Sequence, residues 1–288
     1  MELLDTIWAA GDRLPTKESR MRHILALVLS AALAVGSASS QSLEAGWAYY
    51  GWNDFTAAIK EWRPLAEQGD MLAQYMLGVI YEHGKGVPQD YAEAARWYRL
   101  SAEQGNAKAQ QALASMHSFG DGVRQDDAEA ARWYRLAAEQ GLAHSQAMLG
   151  AAYLSGKVLQ KDYYEAVRWF RLAAGQGDPT AQYFLGTMYF DGTGVLEDYS
   201  EAARLWRLAA EQGQSQSQSE LAALYYFGKG VIQNYVLAHM WANIACASGN
   251  DEGCESRAFF AREMTPADIS EAQRRARICM ASKYQNCD

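Results

Sequence analysis

The chain has 288 residues, enough for one or two globular domains with a sizeable core. Its composition is 49% hydrophobic and 21% charged, whereas a disordered chain combines low hydrophobicity with high charge, so wholesale disorder is excluded. The 26 Lys and Arg residues against 34 Asp and Glu residues give a formal net charge of −8, which repels phosphate backbones and argues against nucleic acid as a partner.

The N-terminal segment has the layout of a secretory signal peptide. Arg22 and His23 form a short basic head, residues 24–35 are apolar apart from Ser30, and small residues follow at 36–38. The 12 apolar residues would span about 18 Å as a helix, too short for a hydrocarbon core of about 30 Å, so a transmembrane anchor is the less favoured alternative. The pattern predicts a signal peptide at 21–38.

The segment before it, 1–20, is polar and stands oddly ahead of a signal peptide. We therefore expect translation to start at Met21 and residues 1–20 to be a non-native extension. Cleavage after Ala38 would leave a secreted protein that begins at Ser39.

The rest of the chain repeats with a period of 36 residues. Six successive repeats start at Asp54, Asp90, Asp126, Asp162, Asp198 and Asn234. Self-similarity at a fixed period of this length indicates an array of stacked structural units.

Each repeat predicts two helices. The first begins at the recurrent Asp, a good N-cap, and ends at a Gly in the sixteenth position, which favours a left-handed cap. The second carries an Ala-Gln pair and then Leu-Gly, as in Leu185-Gly186. Because Gly costs about 1 kcal/mol inside a helix, its recurrence suggests an approach too close for a side chain where helices cross.

These residues resemble the Sel-like repeat, a relative of the tetratricopeptide repeat. The matching features are Ala-Ala-x-Trp, the Gly cap, the Ala-Gln…Leu-Gly helix and a Gly-x-Gly-Val loop. The resemblance implies an all-α fold, a right-handed α/α solenoid, and a role in scaffolding protein assemblies. We predict an N-terminal capping helix at 39–53, the repeat solenoid at 54–249 and capping helices at 250–288, since an open end would expose an apolar face.

The four cysteines lie near the C-terminus in two pairs, each eight residues apart: Cys246, Cys254, Cys279 and Cys287. With an export signal, disulfides are favoured over metal binding, for which the usual zinc spacing Cys-x-x-Cys is absent. Gly249 turns the chain between the first two, and cysteine-rich members of the family that the chain resembles join the two helices of a unit at this spacing. We predict the pairs Cys246–Cys254 and Cys279–Cys287; the second has no Gly between its members.

Other recurrent features have simple structural interpretations. The Gly-x-Gly loops are predicted to be turns rather than phosphate sites, because no strand precedes them and their middle residue varies. Residues of opposite charge, such as Glu93 and Arg96, recur along one side of the first helix. We interpret this side as exposed to solvent, with ligand binding as the alternative. The five histidines have no metal-ligand spacing, and no Ser-x-x-Lys or Gly-x-Ser-x-Gly occurs. We expect no catalytic residue, metal or cofactor.

The predicted function is that of an exported, periplasmic or secreted scaffold that binds a protein or peptide on its concave face, with no stable membrane insertion. One alternative is an enzyme, β-lactamase-like or acting on cell-wall fragments, as the resemblance to cysteine-rich family members suggests. Another is a periplasmic regulator of a membrane sensor.

Aromatic residues recur at three positions of the first helix. Those at the eighth, such as Trp97 and Trp133, are nearly invariant and are assigned to the core. The second and ninth positions lie seven residues apart and project from one side. By resemblance to tetratricopeptide repeats they would form the binding face; inter-repeat packing is the alternative. The predicted face comprises Tyr91, Tyr98, Tyr134, Tyr163, Phe170, Tyr199 and Trp206.

Overall fold

A computed structural model describes residues 38–287. Within this range the chain forms fourteen α-helices and one short 3₁₀ helix, and none of these residues is in a strand. The predicted α/α solenoid fold class is confirmed. The helices belong to two compact units, of which the first ends at Asp90 and the second begins at Tyr91.

The first unit holds the N-terminal helix and the first repeat. Its helices are α1 (Ala38–Gly51), α2 (Phe55–Glu67) and α3 (Met71–His83). Trp62 on α2 is fully buried, and its indole Nε1 donates a hydrogen bond of 3.2 Å to the Leu43 carbonyl of α1. This contact docks the N-terminal helix on the first repeat.

The second unit holds four further complete repeats and the C-terminal helices. Its first eight helices are α4 (Tyr91–Glu103), α5 (Ala107–Phe119), α6 (Asp127–Glu139), α7 (Ala143–Ser155), α8 (Tyr163–Gly175), α9 (Pro179–Asp191), α10 (Tyr199–Ala210) and α11 (Ser215–Phe227). The remaining elements are α12 (Tyr235–Ala247), α13 (Asp251–Phe260), the 3₁₀ helix (Ala261–Glu263) and α14 (Pro266–Ala281). Each second helix packs between the first helix of its own repeat and that of the next.

Capping residues at both ends of the helices satisfy backbone groups. Asp162 accepts hydrogen bonds from the backbone amides of Tyr164 and Glu165, and Asp198 caps α10 in the same way. The second helices end at left-handed glycines such as Gly192, with φ 65°. The predicted helix boundaries are therefore confirmed by groups that satisfy otherwise unpaired backbone atoms.

The tryptophans at the eighth position lie in the core as predicted: Trp97, Trp133, Trp169 and Trp241 are 2–7% exposed. In three of these repeats the preceding arginine covers the outer side of the indole, with Arg96 Cζ 4.1 Å from the Trp97 ring centroid. The arginine thus adds a cation–π contact where the ring comes nearest to solvent.

The glycines of two Leu-Gly pairs make room for an aromatic ring of the next repeat. A Cβ atom on Gly186 would lie 2.6 Å from the indole Nε1 of Trp206, and one on Gly150 would lie 2.9 Å from the Phe170 ring. Real Cβ atoms essentially never come this close to another heavy atom. The predicted close approach is confirmed, and the group that needs the space is a side chain at the ninth position.

The Gly-x-Gly loops are turns anchored on their own repeat. Gly194 has φ 70°, and a Cβ there would lie 2.8 Å from the Tyr163 carbonyl oxygen at the start of α8. Gly122 and Gly230 meet the starts of α4 and α10 in the same way. Both the positive φ and the lack of space require glycine, which confirms a structural role for these loops.

A ladder of glutamine amides joins successive repeats. Gln146 donates to the Ala138 carbonyl of its own repeat, and its Oε1 accepts a 2.8 Å hydrogen bond from Gln176 of the next repeat. Gln110 with Gln140, and Gln182 with Gln212, form the equivalent pairs. Because Gln110, Gln146 and Gln182 are buried, each pair satisfies a side-chain oxygen that would be costly to bury without a hydrogen bond.

The ladder stops at the last repeat. Gln218 is fully buried and donates to the Ala210 carbonyl, but its Oε1 has no hydrogen-bond partner in the part of the chain that the structure describes. The residue that would donate to it is Ser248, which replaces the glutamine found at this position in the preceding repeats. Ser248 has nearly the same backbone conformation as Gln176, φ −85° against φ −90°.

Substitution of Gly186 is expected to destabilise the protein. Ala normally stabilises a helix relative to Gly by about 1 kcal/mol. At Gly186 the added methyl overlaps the buried Trp206, so we expect Gly186→Ala to lower the free energy of unfolding by about 1–3 kcal/mol in urea titrations. Gly175→Ala is the matched control, because that helical glycine has open space around its Cβ position, and should be neutral or stabilising. Equal effects of the two substitutions would contradict the packing role.

Extension of the amide ladder is expected to stabilise the protein. Ser248→Gln would supply the missing donor to Gln218 Oε1 and raise the free energy of unfolding by about 1 kcal/mol. Ser248→Met, similar in length but without a donor, controls for added side-chain contacts. The two variants would be compared by chemical denaturation, and a gain of the same size for Met would rule out the hydrogen bond as the cause.

Candidate protein-binding surface

The structure buries the ninth-position aromatics of the predicted binding face. Tyr98, Tyr134, Phe170 and Trp206 are 0–4% exposed. Burial also raises the pKa of the Tyr134 hydroxyl. A buried ring offers no surface to a partner, so the prediction that these four residues form a binding face is wrong. Phe170 and Trp206 instead fill the space left by glycines of the preceding repeat, which is the inter-repeat packing alternative.

The second-position tyrosines remain accessible. Tyr91 and Tyr163 are each 40% exposed, and Tyr199 is half-buried. Tyr199 packs edge-on against Phe190, and a hydrogen bond to Glu197 raises the pKa of its hydroxyl. These positions differ from the ninth because they lie in the first helical turn, against the loop of their own repeat. Their role in binding stays a prediction.

Two arginines recur in the first helices of the second to fifth repeats, and the structure gives them different partners. The first of them forms an i,i+3 ion pair with glutamate, as in Arg168 with Glu165 at 3.0 Å and Arg204 with Glu201 at 2.7 Å. These exposed pairs are consistent with the predicted solvated face and contribute only tenths of a kcal/mol each.

In the third to fifth repeats the second arginine binds a tyrosine hydroxyl on the second helix of its repeat. We call Arg135–Tyr153, Arg171–Tyr189 and Arg207–Tyr225 the Arg–Tyr pairs; the first two have Nη2 to Oη distances of 3.1 and 2.9 Å. Among the described residues, none of these three arginines has a carboxylate within ion-pair distance. Each guanidinium therefore keeps its full charge at the surface beside a neutral partner.

Surface clefts lie beside two of the Arg–Tyr pairs. The cleft of the fourth repeat has a volume of about 730 Å³, and Arg171, Tyr189 and Tyr164 line it with the loop that includes Leu196. The cleft of the fifth repeat has a volume of about 410 Å³, with Arg207, Tyr225 and Ile232 in the equivalent positions. Sequence analysis missed these clefts because arginine and tyrosine recur in most repeats and resemble ordinary surface and core residues.

A partly buried acid is a second feature that sequence analysis missed. Glu220 on α11 occupies a repeat position that is apolar in the other complete repeats, where it holds Met76, Ala112, Met148 and Phe184. Burial, together with the nearby Glu252 and Asp191 carboxylates, raises the pKa of Glu220 to about 7. Comparison of the repeats could have identified Glu220 from the sequence, because it is a charged residue at an otherwise apolar position.

The cysteines lie in the two predicted pairs. The sulfur atoms of Cys246 and Cys254 are 2.01 Å apart, and those of Cys279 and Cys287 are 1.86 Å apart. Cys246 is at the end of α12 and Cys254 is in α13, so the first disulfide joins the two helices of the sixth repeat. In the described residues no cluster of three or more His, Cys, Asp or Glu side chains is arranged to hold a metal ion.

A model of the Sel1 repeat matches five consecutive segments of the chain: 72–106, 107–142, 143–178, 179–214 and 215–250. The protein belongs to the Sel1 repeat family. Proteins of this family generally act as scaffolds for protein interactions. No helix in the described part of the chain is both long enough and apolar enough to cross a bilayer.

Solved structures support this assignment. The chain is 34% identical to c5321 of uropathogenic Escherichia coli, described as a protective antigen with an SLR fold; the match covers 91% of this chain and has a TM-score of 0.74. The chain spans 57% of the length of that protein. It is 31% identical to a Sel1 repeat protein from Oxalobacter formigenes, over 75% of this chain and 86% of the other, with a TM-score of 0.70. Curated protein sequences gave no significant match.

The raised pKa of Glu220 predicts a pH-dependent stability. Its pKa rises from 4.5 to about 7 in the folded protein, so between these values the folded state binds more protons than the unfolded state. The free energy of unfolding should therefore decrease as pH rises from about 4.5 to 7, by about 1–3 kcal/mol from this residue. Glu220→Gln should remove most of this decrease and be more stable than wild type at pH 8. Parallel pH profiles for the two proteins, measured by urea unfolding, would contradict the assignment.

Proposed function

We propose that the protein is an exported, non-catalytic scaffold that binds a protein partner through one face of its stacked repeats. The observation that carries the proposal is the run of five Sel1 repeats, since this family generally acts in protein interactions. Stacked repeats present an extended surface of recurring side chains, which suits recognition of another chain. We propose that the accessible tyrosines Tyr91, Tyr163 and Tyr199 belong to that surface, and that it lies on the concave side, as the resemblance to tetratricopeptide repeats implies.

Two observations support an exported location. Both cysteine pairs are at disulfide distance, and disulfides persist in oxidising compartments such as the periplasm or the cell exterior. The E. coli relative is described as a protective antigen. The proposed signal peptide, 21–38, and the extension 1–20 lie outside the described residues except for Ala38, where α1 begins.

The location is tested by fractionation of the native cell with intact-mass analysis of the protein. We expect the protein in the periplasmic or secreted fraction, with Ser39 at its N-terminus and two disulfides. A cytoplasmic protein that retains Met1 and carries reduced cysteines would overturn the exported location.

The binding role is tested by cross-linking of the intact protein in native envelope fractions, followed by mass spectrometry. We expect one saturable protein partner, with cross-links to the repeats at 54–249. The same purified protein is assayed with a chromogenic β-lactam. The scaffold function would be contradicted if no saturable partner were found and the protein hydrolysed this substrate in a reaction that a single substitution abolishes. The enzyme alternative would then be supported.

A further inference from the structure

We propose that the C-terminal segment 264–287 is a redox-controlled strap, which closes over α12 when the Cys279–Cys287 disulfide forms and opens when that disulfide is reduced. This inference goes beyond the scaffold function, and only the cellular timing of closure rests on the proposed export. Three observations carry it: the apolar side of α12 that α14 covers, the contact of the chain end with the fifth repeat, and the backbone conformation between the two cysteines.

The side of α12 that α14 covers has a different composition in the preceding repeats. The fourth and seventh positions of the first helix hold a glutamate and an arginine in the second to fifth repeats, such as Glu201 and Arg204, which form an exposed ion pair. In the sixth repeat the same positions hold Leu237 and Met240. Two apolar side chains thus replace the ion pair on this side of α12.

Contact with α14 buries this apolar side. The eleventh position holds Leu208, 37% exposed, in the fifth repeat and Ile244, fully buried, in the sixth. Met240 is also fully buried, as are Ala272 and Ala276 of α14, and these residues belong to one core cluster. Because α14 packs on α12, its removal would turn Met240 and Ile244 toward solvent. The hydrophobic effect therefore favours the closed strap.

The end of the strap reaches back to the fifth repeat. Tyr284 follows α14, and a Cβ atom on Gly213, in the turn after α10, would lie 3.2 Å from Cε2 of the Tyr284 ring. The ring thus lies on the backbone of the turn that joins the two helices of the fifth repeat. The strap contacts two consecutive repeats, and the second contact depends on how the chain turns after α14.

The turn after α14 has an unfavourable backbone conformation. Lys283 and Tyr284 have φ values of 53° and 65°, in the left-handed region that residues with a side chain rarely adopt. The Tyr284 amide donates a 2.8 Å hydrogen bond to the Cys279 carbonyl, and the Cys279–Cys287 disulfide closes the turn with its Cα atoms 4.5 Å apart. Such conformations persist only where the surrounding structure enforces them, so we expect the turn to relax when the disulfide is reduced. Tyr284 would then leave Gly213.

Closure of the strap is a thiol–disulfide exchange. The Cys279 and Cys287 thiols lose two protons and two electrons as their S–S bond forms, and a disulfide oxidant takes up both and becomes two thiols. Opening is the reverse reaction with a dithiol reductant. Cys279 is fully buried and Cys287 is 7% exposed, so the chain end must move before a reductant can reach either sulfur. The rate of reduction therefore reports how often the strap opens.

The two states of the strap correspond to two kinds of compartment. Thiols stay reduced in a cytosol, whereas disulfides form and persist in a periplasm or outside the cell. With the proposed export, the strap stays open until the chain has left the cytoplasm and closes afterwards. This timing depends on the location of the protein, but the strap itself does not.

The test is hydrogen–deuterium exchange with mass spectrometry on the purified, full-length protein. Cys279→Ser with Cys287→Ser is compared with wild type, both disulfide-bonded and after treatment with dithiothreitol. We expect amide exchange in α14 to be at least tenfold faster in the variant and in the reduced protein, and exchange in α4–α9 to stay within twofold. Slow exchange of α14 in the absence of its disulfide would overturn the proposal.

The other disulfide provides a matched control. Cys246–Cys254 also spans eight residues, but it joins α12 to α13 and neither cysteine belongs to the strap. Cys246→Ser with Cys254→Ser should leave exchange in α14 within threefold of wild type. Acceleration of α14 as large as in the first variant would mean that the disulfides stabilise the chain end as a whole, which would also contradict the strap.

A second pair of substitutions opens the strap without changing a cysteine. Leu237→Glu with Met240→Arg gives the sixth repeat the residues of the second to fifth repeats, so α12 should stay folded while its covered side becomes polar. We expect reduction of Cys279–Cys287 by dithiothreitol, followed by alkylation and mass spectrometry, to become at least tenfold faster, and reduction of the other disulfide to keep its rate. An unchanged rate for Cys279–Cys287 would show that this side of α12 does not hold the strap.

Tyr284→Ala tests the strap if the double variant unfolds α12. This substitution removes only the ring that lies on Gly213 and leaves α12 unchanged. It should accelerate reduction of Cys279–Cys287 by at least threefold, whereas a rate equal to that of wild type would contradict the proposal. All of these assays use purified protein, so their outcomes are independent of the scaffold function and of export.

Discussion

The repeat array depends on the fit of one aromatic ring into the space above a helical glycine. Phe170 lies against Gly150 and Trp206 against Gly186, so the middle of each of these two first helices docks on the second helix of the preceding repeat. A large ring buries much apolar surface, and the glycine lets two helices approach closely enough to exclude water from it. The N-terminal helix follows the same rule in the first unit, where Gly46 lies against Trp62.

This packing determines which residues remain for function. Once the eighth and ninth positions are buried, the first helices present mainly arginine, glutamate and the second-position tyrosine to solvent. In the third to fifth repeats, one of the two arginines pairs with a glutamate three residues earlier, whereas the other binds a tyrosine hydroxyl on the second helix. Each Arg–Tyr pair joins the two helices of its repeat by a hydrogen bond.

Individual repeats depart from the common pattern at a few positions, and these departures give the protein its particular properties. Gly175 leaves Arg171 without an acid one turn later, and Leu196 and Ile232 place aliphatic side chains beside the clefts. Glu220 introduces an acid where other repeats are apolar, which couples stability to pH. Ser248 ends the glutamine ladder where a disulfide begins to join the helices. None of these changes disturbs the glycine and aromatic positions on which stacking depends.

The sequence by itself determined the fold class, the helix boundaries, the buried eighth-position tryptophans and the structural nature of the glycine loops. These features depend on local capping and on a 36-residue pattern that occurs in five or six repeats. The sequence could not show which of the second and ninth aromatic positions is exposed, because residues seven apart project from the same side of a helix. Only the tertiary structure shows that the ninth faces a neighbouring helix while the second faces a loop and solvent. The Arg–Tyr pairs likewise join residues 18 apart on different helices, a contact that exists only once the two helices pack.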